Sequence, residues 1–326
     1  METRTFARTG REASVVGLGT WQLGADWGDV ADEDAQAVLE AAIESGVTFL
    51  DTADVYGDGR SEQAIAAFRA AHPDLDLLVA TKMGRRLDQV PENYGMENFR
   101  AWTDRSRRNL RVDTLDLVQL HCPPTAVVES DEVFDALDTL VEEGVTAAYG
   151  VSVETCDQAL AAIARPGVAS VQIILNAFRL KPLDAVLPAA REAGVGIIAR
   201  VPLASGLLSG RYSADTTFAA DDHRTYNRHG EAFDVGETFS GVDFEVGVQA
   251  AREFADLVPQ GVTPAQAALA WVVAQDGVTT VIPGARSPEQ ARANARAADV
   301  ELDAELLDGV RRIYDEHLRE AVHPRW

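Results

Sequence analysis

The sequence predicts an α/β fold: a (β/α)8 TIM barrel with an N-terminal β-hairpin and a C-terminal helix. Three observations predict it. Apolar, β-branched runs of strand type alternate with helical periodicity along the chain, which implies a parallel sheet. Eight such strands with helices between them fit a closed barrel of roughly 300 residues better than an open sheet. No Gly-x-Gly-x-x-Gly follows a first strand, which counts further against a doubly wound sheet.

In order, 3–16 reads as two short strands about the Thr9-Gly10 turn, and the first barrel strand is 14–19. Asp32, Glu33 and Asp34 place acid in a first helical turn, favourable against the helix dipole. Val38, Leu39, Ala42 and Ile43 form one apolar face of that helix, and Gly46 stops it. Strand 47–51 is followed by a helix over 61–71 and a buried strand over 77–82. A helix over 98–110 leads to strand 115–121. Ser130 caps a helix with apolar Val133, Phe134, Leu137, Leu140 and Val141. Strand 147–152, helix 155–164, strand 171–175, helix 183–193 and strand 195–200 come next, with Gly194 ending the second helix. The irregular stretch 203–245 is long for a barrel loop, and such loops are usually functional or disordered. Thr263-Pro264-Ala265-Gln266 starts a helix with a capping box and proline in its first turn. Strand 278–282 follows, and Ser287-Pro288-Glu289-Gln290 opens another helix in the same way. No linker or low-complexity segment interrupts the chain, so 1–326 is read as one domain.

Composition narrows the functional classes. The 326 residues are 46% hydrophobic, enough for a sizeable core, yet no apolar run approaches the ~18–20 residues of a membrane span. The start lacks a basic segment followed by an apolar run, so no signal peptide is read. Two cysteines, Cys122 and Cys156, make neither a disulfide framework nor a metal cluster, which suits a reducing cytoplasm. Asp and Glu number 52 against 29 Lys and Arg, for a net charge of −23. A surface this acidic argues against nucleic acid and anionic membranes as partners. Only Lys82 and Lys181 are lysine. At ~1 M salt the Debye length shrinks to ~3 Å and self-repulsion largely vanishes, so the expectation is a halophilic, acidic protein from a salt-rich cytoplasm, with a plain soluble acidic protein as the alternative.

Barrel enzymes build their sites at the carboxyl ends of the strands. Asp51, Lys82 and His121 fall there on consecutive strands, and Tyr56 lies in the loop after the first of them. A phenol with a pKa of ~10 is a poor acid or base at neutral pH, and an adjacent ammonium lowers it. The expected roles are Tyr56 as acid/base, Lys82 lowering its pKa, Asp51 holding Lys82, and His121 orienting a substrate oxygen. Taken alone, Asp51 with Lys82 has a structural ion pair as its lesser alternative. Lys82 carries more weight because the chain has nearly eliminated lysine and arginine cannot be tuned as an acid–base partner.

With these residues in view, the chain resembles the aldo-keto reductase family over essentially its full length. Asp51-Thr52-Ala53-x-x-Tyr56-Gly57, Thr81-Lys82 and Gln119-Leu120-His121 look like the family's catalytic tetrad. The resemblance implies a barrel that binds a nicotinamide cofactor across its carboxyl face without a Rossmann domain. It implies that Gly19-Thr20-Trp21 and Asp51 lie beside the nicotinamide, and that Ser152 and Gln172 bind the carboxamide. The family's asparagine after the serine is Val153 here, and Arg200 stands where many relatives have a stacking tyrosine. A guanidinium is planar and can also stack, so Arg200 is kept as a cofactor contact. Pro202, Leu203, Gly206, Leu208 and Gly210 look like the loop over the pyrophosphate, and Gly284, Arg286, Gln290 and Asn294 resemble the adenosine end. A capped helix N-terminus is an anion site, and Arg286 before it suits a 2′-phosphate, which favours NADP(H) over NAD(H). A plain turn-rich loop, and a Gln290 that only closes the capping box with Ser287, are the structural alternatives.

The expected function is an NADP(H)-dependent oxidoreductase interconverting a carbonyl (aldehyde, ketone or sugar) and its alcohol. Trp21, Trp27, Tyr94 and parts of 203–245 are expected at the mouth, and Trp326 folds over it or is disordered. His223 and His229 lack the acidic or cysteine spacing of a metal site, and none is predicted. The alternatives are a non-catalytic or very slow nicotinamide-binding regulatory barrel, and an isomerase or hydrolase on the same barrel.

Overall fold

A computed structural model describes residues 1–6, 8–24 and 31–326. The hairpin strands β1 (Thr3–Phe6) and β2 (Arg11–Ser14) pair antiparallel, with Thr3 opposite Ser14. Eight parallel strands follow: β3 (Leu18–Gly19), β4 (Phe49–Asp51), β5 (Leu78–Met83), β6 (Leu117–His121), β7 (Tyr149–Ser152), β8 (Val168–Ile174), β9 (Gly196–Arg200) and β10 (Val278–Val281). They are neighbours in sequence order, and the parallel bridges Val16–Val281 and Gly19–Gly284 bring the first and last together. The sheet is therefore the expected barrel. Its first strand is shorter than 14–19 because Ser14 belongs to the hairpin.

The helices occupy the intervals the periodicity marks. Asp32–Glu44 carries Asp32, Glu33 and Asp34 in its first turn. Ser130 accepts from the Val133 amide at the head of Asp131–Glu142. Thr263 and Gln266 form the reciprocal capping box of Pro264–Val273. Pro288–Ala295 departs from this pattern. Ser287 caps Gln290, but the Gln290 side chain accepts from the Arg286 amide, 2.8 Å away, rather than closing the box. Ala304–Ile313 lies near the carboxyl terminus. Among the described residues no helix is long and apolar enough to cross a membrane.

The hairpin plugs one end of the barrel. Phe6 stacks on Phe49 at 5.7 Å, and with Ala13, Leu78, Leu117 and Ile198 they form a buried apolar cluster. Sealing that end with hydrocarbon leaves the other, carboxyl end for polar chemistry.

Candidate functional site

The strand register assembles the site. Asp51, Lys82, Gln119, His121, Ser152 and Gln172 converge on the carboxyl end of the barrel. Lys82 is 1% exposed and donates to Asp51 Oδ2 at 2.5 Å, to the Thr52 carbonyl at 2.8 Å and to the Tyr56 hydroxyl at 3.3 Å. The other carboxylate oxygen of Asp51 accepts from Gln172 Nε2 at 2.7 Å and Gln119 Nε2 at 3.3 Å. A buried charge without such partners costs several kcal/mol or neutralises, so this saturation keeps the ion pair in place. The His121 ring lies edge-on to Tyr56 at 6.0 Å. The four tetrad candidates thus meet, as the strand-end positions imply.

Electrostatics alter one expectation. Burial pushes the Tyr56 hydroxyl above the ordinary phenol range, and the Lys82 ammonium pulls it down without overcoming burial. The predicted lowering is therefore present as a contribution and reversed in the balance. Burial alone would depress Lys82, but Asp51 and Tyr56 hold it above the usual ammonium value. Burial, then Arg85, Lys82 and Arg200, push His121 well below its ordinary value, so it stands as a neutral imidazole.

The loop that carries Tyr56 is shaped by close backbone approach. Gly57 has φ 56°, and a Cβ there would strike the backbone of Gly24. Tyr56 stacks on Trp21 at 6.2 Å, and Trp21 meets His223 at 5.6 Å and Phe233 at 6.3 Å. The long stretch after β9 is therefore folded onto the site.

The remaining candidates divide. Thr20 is fully buried and donates to the Asp51 carbonyl at 2.9 Å, so its side chain braces Asp51. Gly19 and Gly284 seal the barrel seam. Ser152 donates to Gln172 Oε1 at 3.4 Å. Pro202 and Leu203 lead into a turn with left-handed backbone at Val201, Ala204, Ser205, Gly206 and Gly210. Positive φ at a β-branched valine is an outlier, and such strain clusters where backbone N–H groups are arranged for a ligand. Within that turn the Leu208 side chain is fully buried in the core. Asn294 donates to the Gly284 carbonyl at 3.1 Å, so it and Gln290 shape the turn that presents the exposed Arg286. Tyr94 is 3% exposed and packs on Phe99 and Trp102, which removes it from the mouth, and Trp27 lies outside the described residues.

Sequence reasoning missed a second charged group. Arg200 is 7% exposed and donates to Glu154 Oε2 at 2.8 Å and the Val153 carbonyl at 3.2 Å. Glu237, from the long stretch, lies 3.3 Å from Arg85 and 3.6 Å from Arg200. Arg200 is thus held at its guanidinium tip by Glu154 and the Val153 carbonyl. Cys122, Glu154 and Glu237 present atoms within 4.8 Å of one another. Two guanidinium groups already fill the demand for positive charge there, and burial pushes the Cys122 thiol up to about 12, so these groups do not make a metal centre.

A parallel barrel carrying an aspartate–lysine–tyrosine chain beside a neutral histidine defines a barrel oxidoreductase. The chain belongs to the Aldo/keto reductase family, whose sequence pattern matches residues 15–315. It is 26% identical to the aldo-keto reductase YhdN of Bacillus subtilis over 332 aligned residues, covering 100% of this chain and 97% of that relative. The glycerol dehydrogenase of Gluconobacter oxydans superposes with a TM-score of 0.78 at 29% identity, covering 97% of this chain and 96% of that one. An aldo-keto reductase from Klebsiella pneumoniae in complex with NADPH superposes with a TM-score of 0.71 at 25% identity, covering 96% of each.

Proposed function

We propose that this chain interconverts a small carbonyl compound and its alcohol with NADP(H), Tyr56 being the proton donor and acceptor. The observation that carries the reading is the unbroken Asp51–Lys82–Tyr56 chain with His121 against the same phenol. The residues fit a nicotinamide dinucleotide. Buried Arg200 Nε and His121 Nδ1 have no hydrogen-bond partner among the described residues. The NADPH complex of the Klebsiella relative and the exposed Arg286 support the phosphorylated cofactor.

When bound, the dinucleotide supplies or accepts a hydride at the substrate carbon. The chain's own groups handle the oxygen. Burial keeps Tyr56 protonated, so its hydroxyl is poised to give a proton to the carbonyl oxygen. The Lys82 ammonium stabilises the phenolate left behind, and Asp51 fixes Lys82 without drawing its proton away. Neutral His121 offers a hydrogen bond to the same oxygen and so orients it. One domain over 1–326 and a salt-rich cytoplasm complete the reading. The test is NADPH fluorescence titration in molar KCl, followed by loss of NADPH absorbance with aldehydes, ketones and sugars. Binding with turnover supports the reading, and no binding of NADPH or NADH by folded protein contradicts it.

A further inference from the structure

Arg200 carries an unexplained N–H. Its Nη2 is spent on Glu154, Val153 and the Cys122 sulfur, while its Nε is buried with no hydrogen-bond partner among the described residues. A buried N–H left unmade costs ~1–3 kcal/mol, so its persistence calls for a ligand that completes it. Its place says which kind. In the strand register Ser152 pairs with Gln172, and Ile174, two residues on, pairs with Arg200. Arg200 therefore stands on the inward face one layer above the Ser152–Gln172 row.

That row is itself one-sided. Asp51 is an acceptor, which fixes the Gln172 amide with its nitrogen toward Asp51 at 2.7 Å. Ser152 Oγ donates to Gln172 Oε1 across 3.4 Å, which leaves each oxygen a further lone pair to accept with. Val153 has no side-chain polar atom. The row offers acceptors for an N–H2 group but lacks a free amide donor for a carbonyl.

We propose that Arg200 Nε–H, held by Glu154, is the donor to the carboxamide oxygen of the nicotinamide, while Gln172 Oε1 and Ser152 take the carboxamide nitrogen. The assignment rests on the nicotinamide reading above. It makes Arg200 a cofactor-binding residue by edge-on donation rather than by stacking. Glu154 holds the guanidinium tip, so Nε is left for the ligand, and Glu237 extends that grip to the long stretch.

The test compares two probes by fluorescence or calorimetric titration: NADPH, and 2′-phospho-ADP-ribose, which lacks the nicotinamide. The variants are Arg200→Met, and Arg200→Met with Glu154→Gln, which removes both charges together. In both, the Kd for NADPH should rise about tenfold while that for 2′-phospho-ADP-ribose is unchanged. An NADPH Kd that does not move in either variant would overturn the assignment. So would an equal loss for both probes in the charge-balanced variant, since that is the mark of a structural role. Wild-type protein that binds 2′-phospho-ADP-ribose but gains nothing from the nicotinamide would instead remove the reading on which the assignment rests.

Discussion

Lys82 Nζ donates to the Tyr56 hydroxyl across 3.3 Å while holding Asp51 at 2.5 Å, so one buried ammonium serves both an acid and its counter-charge. Replacing Lys82 with methionine leaves Asp51 buried and uncompensated. We expect a loss of about 3–5 kcal/mol in urea unfolding, most of it recovered in Lys82→Met with Asp51→Asn. Turnover should stay lost in both variants. Recovery of turnover in the double variant would contradict the role given to Lys82.

Asp54 gives the fold's stability a pH dependence. Both its carboxylate oxygens are buried without a hydrogen-bond partner among the described residues, and burial, with Glu62 adding to it, raises its pKa to about 7. Its unfolded value is ~3.9. The folded state therefore binds this proton more tightly. Its contribution is full below about pH 4 and is lost as pH rises through about 7. Asp54→Asn should gain stability relative to wild type between about pH 5 and pH 9, by up to ~4 kcal/mol. Urea midpoints at the two pH values measure this, and a constant difference between the proteins would contradict it.

Trp326 lies 6% exposed at the chain end, with Arg179 against its ring at 4.1 Å and its indole N–H on Asp234 at 3.0 Å. A Cβ at Gly236 or Gly241 would strike it. It therefore clamps the segment that delivers Glu237 to Arg85 and Arg200. Deleting Trp326 should cost about 2–4 kcal/mol and speed proteolysis within 211–240. An unchanged cleavage rate would show that the clamp does not hold the segment.

The charge of −23 predicts a salt response. Because ~1 M salt reduces the Debye length to ~3 Å, the Tm should climb steadily from low to molar KCl. A flat or falling Tm would count against a salt-rich origin.

Much of the fold was legible because periodicity reports burial directly. The apolar runs that mark 77–82 and 195–200 as strands reflect the same burial that encloses Lys82 and Arg200 at their strand ends. The tetrad was legible because ionisable residues at buried strand ends require partners. What was not legible depends on contacts between distant segments. Nothing local to Glu237 says that it meets Arg85 and Arg200, and nothing local to Tyr94 says that Phe99 and Trp102 enclose it. The direction of the Tyr56 shift was misjudged because burial and the Lys82 charge oppose each other, and only the folded environment sets their balance. The capping box expected at Ser287 is left open because the Gln290 side-chain oxygen accepts from the Arg286 amide instead, a choice made by turn geometry.

The central claim is that Tyr56 delivers the proton. The most direct measurement is steady-state turnover of Tyr56→Phe beside its NADPH Kd, in molar KCl, with the best carbonyl substrate of the wild-type protein. The account predicts a fall in kcat of about 10²- to 10⁴-fold with cofactor affinity unchanged. A variant that binds NADPH normally and retains wild-type turnover would contradict it.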